Sequence, residues 1–262
     1  MLFYVYLFVL GAVIGSFLNV VIDRLPFGRP LTGRSVCDYC GRKLSIFELI
    51  PIFSYFYLGG KTSCCRKPLP FYYPLIEFIS GVSFPFVFWF FSKEPLFARL
   101  ILIGIVLVLI SIFFTDVKYT IIPDELQIVL FFLSFLYLFV CHQNFIVCFV
   151  KIFLMGVLKG FLVAFPVASI FYLTRGKGIG FADVKLAFNI GFLFGLKKGL
   201  LVLYLSFMIG GIVAIFLLLL GKKGLKSKIP FGPFLVISIL FFLFLQERAV
   251  DLLLRFFLIF SP

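Results

Sequence analysis

Carboxylates, thiols and lysines are the reactive groups this chain offers. It has a single histidine, His142. An HExxH zinc site is therefore excluded, and a serine–histidine pair would have to use that one residue. Asp and Glu together number 11 in 262 residues, so each acid can be inspected. Asp116 stands in Phe113-Phe114-Thr115-Asp116-Val117-Lys118, at the end of an apolar run. Charge at membrane depth is costly and marks a functional candidate. A capping role fits poorly there, because a helix C-terminus carries partial negative charge. An ion pair with Lys118 stays open. Asp183 stands in Gly178-Ile179-Gly180-Phe181-Ala182-Asp183-Val184-Lys185, just before an apolar helix. An N-cap role is open at that place. So is a ligand-facing role, because Gly176, Gly178 and Gly180 allow close backbone approach. Asp124 and Glu125 follow Pro123 and read as ordinary helix-start residues.

Asp116 and Asp183 form a candidate catalytic dyad. Two close carboxylates do not both ionise readily, so they share a proton. The ionised one acts as general base on water, and the protonated one donates to a peptide carbonyl. Such a pair titrates as a unit. A second cluster is made of thiols: Cys37 and Cys40 form a Cys-x-x-Cys pair, and Cys64 and Cys65 are adjacent. Four thiolates suit tetrahedral zinc, while reduced thiols in a loop are the plain alternative. Cys141 and Cys148 read as packed thiols near the opposite face, or as a disulfide there.

The elements that must position these groups are membrane spans. Hydrophobic residues make up 63% and charged residues 13%, against about 25% charged in soluble domains. Mean hydropathy is +1.21. A spanning helix needs about 20 apolar residues, and the runs predict eight spans. They cover 2–22, 71–91, 96–114, 124–141, 154–173, 184–196, 200–220 and 231–246. The N-terminus lacks a basic region and a small-residue cleavage site, so it reads as a permanent first span. The predicted organisation is a first helix over 1–22, a cysteine-containing loop over 23–70 and a polytopic domain over 71–262. Residues 144–153 and 246–262 read as interfacial segments.

The net charge is +13. Its basic residues fall in short loops, where they set topology and attract anionic lipid rather than nucleic acid. Arg24, Arg29, Arg34, Arg42, Lys43, Lys61, Arg66 and Lys67 crowd the first loop. Lys118, then Arg175, Lys177 and Lys185, then Lys222, Lys223, Lys226 and Lys228 follow on the same side. This side is therefore predicted cytoplasmic, with Asp116 and Asp183 both on it. In the first span Gly11, Gly15 and Asn19 lie four apart, a stripe suited to close helix packing. From these residues alone a transporter or a non-catalytic assembly factor stays open beside a peptidase.

An ordered set of short motifs narrows this. It begins with Gly15-Ser16-Phe17-Leu18-Asn19 through Arg24-Leu25-Pro26, then Cys37 to Cys40-Gly41 and Glu48-Leu49-Ile50-Pro51. Tyr73-Pro74-Leu75-Ile76-Glu77 and Ile122-Pro123-Asp124 after Asp116 come next. Gly178 to Leu186 and Ile229-Pro230-Phe231-Gly232-Pro233-Phe234 complete it. Over nearly its whole length the chain resembles the type IV prepilin peptidases. The resemblance implies an eight-span enzyme of the bacterial inner membrane with its site facing the cytoplasm. It implies cleavage after glycine of the leader of prepilins or of type II secretion pseudopilins, with Asp116 and Asp183 as the catalytic aspartates. No cofactor is implied for cleavage. Many members also methylate the new N-terminus with S-adenosylmethionine, whose binding residues the motifs do not identify. Two positions depart from the family. Ala182 replaces the usual glycine before the second aspartate. Thr62 stands where the second cysteine pair should begin, Cys65 aligns with that pair's second member, and Cys64 is the candidate substitute. The methyltransferase activity is associated with this loop, so that departure bears on methylation more than on cleavage.

Overall fold

The computed structural model describes residues 1–37, 39–141, 147–220 and 230–245. His142, the lysine loop at 222–228, the tail from Gln246 and the side chains of Cys141 and Cys148 lie outside the described residues. So do residues 144–146, with which the predicted interfacial segment at 144–153 begins; from Val147 that segment is helix. Among the described residues the fold is helical, with two isolated β-bridges and no longer strand. It divides into two compact units, residues 1–111 and 112 onward.

The first unit holds α1 (Leu2–Arg24), the cysteine loop with the short α2 (Phe53–Tyr57), α3 (Tyr72–Phe90) and most of α4 (Leu96–Tyr119). α1 and α3 pack through the small-residue stripe. A Cβ on Gly11 would stand 2.6 Å from the Ser80 carbonyl oxygen, and one on Gly15 2.8 Å from the Glu77 Cα. Asn19 Nδ2 donates to the Tyr73 carbonyl at 3.3 Å. Helices this close gain dispersion contacts that lipid cannot match. Gly15→Leu is therefore expected to destabilise this pair by about 1–3 kcal/mol or more, the usual cost of overpacking. A fall in the thermal midpoint of purified protein checks it.

The second unit holds the end of α4, α5 (Asp124–Cys141), α6 (Val147–Leu173), α7 (Phe181–Leu219) and α8 (Gly232–Leu245). α7 is 39 residues long, but Gly195 at φ 77, ψ −176 interrupts it. A Cβ on Gly199 would stand 3.3 Å from the Gly191 Cα. Residues eight apart on a straight helix are separated by about 12 Å. α7 is therefore a helical hairpin, and its two arms correspond to the sixth and seventh predicted spans. Gly156 and Gly160 of α6 admit Phe192 and Phe188 of the first arm, which seats that arm against α6.

Among the described residues five helices are long and apolar enough to cross a membrane, by length and composition: those beginning at Leu2, Tyr72, Leu96, Phe153 and Phe181. α8 is a shorter apolar helix, and α5 carries 18 mostly apolar residues. With α7 counted as two arms, each predicted span is a helix. The boundaries moved: α1 runs to Arg24 rather than residue 22, and α4 to Tyr119 rather than 114.

Candidate functional site

Asp116 lies inside α4, one turn before its end, and not just beyond it. The turn closes when the Thr120 N–H donates to the Asp116 carbonyl at 2.8 Å. Thr120 at φ 55 then leaves the helix. Pro123 follows, directly before α5 starts at Asp124. Asp116 is 5% exposed, and its Oδ2 has no hydrogen-bond partner. A buried polar atom without a partner needs an explanation. The first turn of α8 faces it: a Cβ on Gly232 would stand 2.6 Å from Oδ2. Only glycine leaves that oxygen free, and the positive end of α8 favours a carboxylate there.

Asp183 is the third residue of α7, and Gly180 is the N-cap. Its Oδ2 accepts from the Gly180 N–H at 3.1 Å. This is the reaching-back half of a capping box. The N-cap reading of the sequence is thus displaced by three residues, while a capping contribution is real. Asp183 is 7% exposed, and its carboxyl lies within electrostatic reach of the Asp116 carboxyl. The unpartnered Oδ2 of Asp116 is left for chemistry. Ala182 has no positive φ, so alanine fits where the resembled family has glycine.

Polar ties hold the first turn of α7 against α5. Lys185 Nζ pairs with Asp124 at 2.7 Å. Gln127 Nε2 donates to the Ala182 carbonyl at 3.2 Å, and Asn189 Nδ2 donates to the Gln127 carbonyl at 3.3 Å. Asp124 is thus structural, as read from the sequence. Gln127 and Asn189 were missed. Their signal was an amide inside each of two apolar helices, which costs free energy unless bonded. Gly232→Ala tests the packing on the other side. It is expected to destabilise the fold by about 1–3 kcal/mol, the usual cost of overpacking, read as a lower thermal midpoint with the protein still inserted and helical by circular dichroism.

The four loop cysteines come together in the first unit. Their sulfurs all lie within 4.8 Å of one another. Cys37–Cys65 is 3.8 Å, Cys40–Cys64 3.2 Å and Cys64–Cys65 3.9 Å. Sulfurs at about 2.3 Å from a tetrahedral ion stand about 3.8 Å apart, so the set fits a metal. Two similar turns present them. In the first, the Cys37 N–H donates to the Arg42 carbonyl and the Gly41 N–H to the Cys37 carbonyl. In the second, Thr62 donates to Lys67 and Arg66 to Thr62. Arg66 takes a left-handed φ of 52 where Gly41 has 72. Thr62 therefore occupies the place of Cys37, and its Oγ1 lies 3.1 Å from Cys65 Sγ. Cys64, from inside the turn, supplies the fourth sulfur.

Burial raises the Cys37 thiol, but the N–H groups of Tyr39 and Cys40 together with hydrogen bonds from the Cys64 and Cys40 thiols outweigh it and bring it down to about 7. The hydrogen bond with Cys40, then burial, push Cys64 up to about 12. Glu48 clamps the turns together. Its carboxylate accepts from the Ser45 N–H at 2.5 Å, from Arg42 at 2.6 Å and from the Ser63 hydroxyl.

Comparison with known proteins decides the family. Residues 9–91 match the bacterial peptidase A24 N-terminal domain, and residues 101–215 match the type IV leader peptidase family. A prepilin leader peptidase/N-methyltransferase of Pseudomonas aeruginosa is 30% identical, covering 87% of this chain and 86% of its own. The chain belongs to the type IV leader peptidase family. Proteins of the same name from Aeromonas hydrophila and Burkholderia pseudomallei strain 1026b are 29% and 30% identical. They cover 90% and 87% of this chain, and 89% and 80% of their own. No solved structure matches. This peptidase thus carries both family regions, the first over α1, the cysteine loop and α3, the second over both aspartates.

Proposed function

We propose that this peptidase cleaves the leader of prepilins or pseudopilins after glycine, with Asp116 and Asp183 as the catalytic pair. The observation that carries the reading is the pair itself: two buried carboxyls within electrostatic reach of each other, one with an unpartnered oxygen. The deprotonated carboxylate takes a proton from water as that water attacks the scissile carbonyl. The protonated one donates to the carbonyl oxygen. The amine leaves with a proton returned from the pair. Prepilins come from the names of the relatives; pseudopilins and cleavage after glycine rest on the resemblance of the motifs.

The site lies at the end of the second unit where α4 finishes and α5, α7 and α8 begin. Lys118, Arg175, Lys177 and Lys185, in or beside the connections at this end of the unit, support a cytoplasm-facing site in the bacterial inner membrane. Cleavage there needs no cofactor. Cys37, Cys40, Cys64 and Cys65 would hold zinc, which would supply folding free energy to the loop. S-adenosylmethionine would be the methyl donor for an N-methyltransferase activity of this chain, as the resemblance of the motifs implies.

The test is incubation of the purified protein with a synthetic prepilin in bilayer discs, with and without S-adenosylmethionine. Mass spectrometry of the product's N-terminus reads both steps. Loss of the leader alone establishes the peptidase, and an added methyl mass establishes the transferase. An intact leader in all conditions overturns the proposal.

A further inference from the structure

Glu77 is a buried acid inside a span, and its partner is the cysteine loop. α3 has 19 residues, about 28 Å, against a hydrocarbon core of about 30 Å. To cross, the whole helix must lie within the core. Glu77 sits five residues in, about 7–8 Å below the helix start. Its Oε2 accepts from the Ile52 N–H at 2.6 Å, and its carboxylate also bonds the Ser16 side chain of α1. Residue 52 therefore lies at this depth. Ile52 has φ 64, a left-handed conformation costly for a β-branched residue. A free N–H at that depth would find no water; the Glu77 bond satisfies it and holds the strained turn.

α2 begins at the next residue. Phe53, Phe56 and Tyr57 are 62%, 64% and 79% exposed, and Ile46 and Phe47 are 77% and 81% exposed. On α3, Phe78 and Val82 are exposed as well. Lys43, Lys61, Arg66 and Lys67, all exposed, belong to the same loop. We infer that residues 46–57 are seated in the polar–apolar boundary of the membrane, with α2 against lipid and the loop's cations among anionic headgroups. Interfacial segments enter that boundary by about 5–10 Å, which agrees with the depth of residue 52. The cysteine loop is then a membrane-docked device and not a freely hanging cytoplasmic one. The inference uses only the membrane crossing of α1 and α3, and it stands or falls apart from the aspartate chemistry.

The chain's single tryptophan makes the test direct. In a Trp89→Phe background, Phe56→Trp is placed in anionic vesicles, and its fluorescence is read with spin-labelled lipids and with acrylamide. Phe53→Trp is read in parallel, so that one perturbed variant does not decide the matter. Expected is blue-shifted emission, protection from acrylamide, and quenching at least about twofold stronger by shallow than by deep labels. Water-like emission with full acrylamide quenching overturns the inference. So does shielded emission that no lipid label quenches, which would mean that a protein segment covers the surface.

Discussion

Asp116→Asn and Asp183→Asn are each expected to leave the protein folded in the membrane and to lower leader cleavage by about 10²–10⁴-fold, the usual range for a positioned acid or base. Asparagine keeps the shape and loses both proton transfer and charge. Asp183→Asn tests more than chemistry, because its Oδ2 also accepts from the Gly180 N–H. An amide oxygen still accepts that bond, so the helix start should survive. Asp124→Asn is the control. It removes only an exposed pair with Lys185, worth about 1 kcal/mol or less. Turnover measured on a prepilin peptide, beside circular dichroism of the same samples, separates the cases. Full activity in either Asp116→Asn or Asp183→Asn would sink the dyad. In the parent, the shared proton predicts a bell-shaped pH–rate profile whose two limbs belong to the pair.

Metal content is the second large effect. The purified protein is expected to hold zinc at about one ion per chain, and Cys64→Ser to remove most of it. Thr62→Ala should leave the zinc in place, because Thr62 Oγ1 touches Cys65 and is not one of the four sulfurs. Thr62→Cys combined with Cys64→Ser should restore binding, since Thr62 stands at the turn position that Cys37 occupies. Elemental analysis reads all four proteins. Chelation should expose the loop to proteolysis while the spans stay helical, because structural zinc contributes directly to the folding of its own small unit. Zinc content unchanged by Cys64→Ser would rule out the displaced ligand.

Much of this was legible along the chain because it depends on local composition. An apolar run of bilayer length has one stable solution, a helix with its backbone bonded internally. The stripe Gly11, Gly15 and Asn19 announced close packing for the same reason, as small residues let backbones approach. The helix-start reading of Asp124 rested on Pro123 and held. Less legible were features that need a partner far along the chain. Glu77 read as part of a motif, with nothing to tie it to Ile52. Gln127 and Asn189 were two polar residues in apolar helices until folding set Gln127 against Ala182.

By itself the sequence determined a polytopic helical membrane chain, the scarcity of its acids and the kinship of its ordered motifs. These follow from residue types and their order. Only the tertiary structure decided that Asp183 is the third residue of its helix, that Gly195 turns one helix into two arms and that the Asp116 and Asp183 carboxyls are both buried within electrostatic reach of each other. It also decided that Cys64 reaches the other three sulfurs despite its wrong place in the turn. The reason is physical. Spacing along a helix or loop sets which face a residue takes, but bringing two groups together across dozens of residues depends on how neighbouring helices pack. In this chain that packing is decided by a few glycines and buried polar ties.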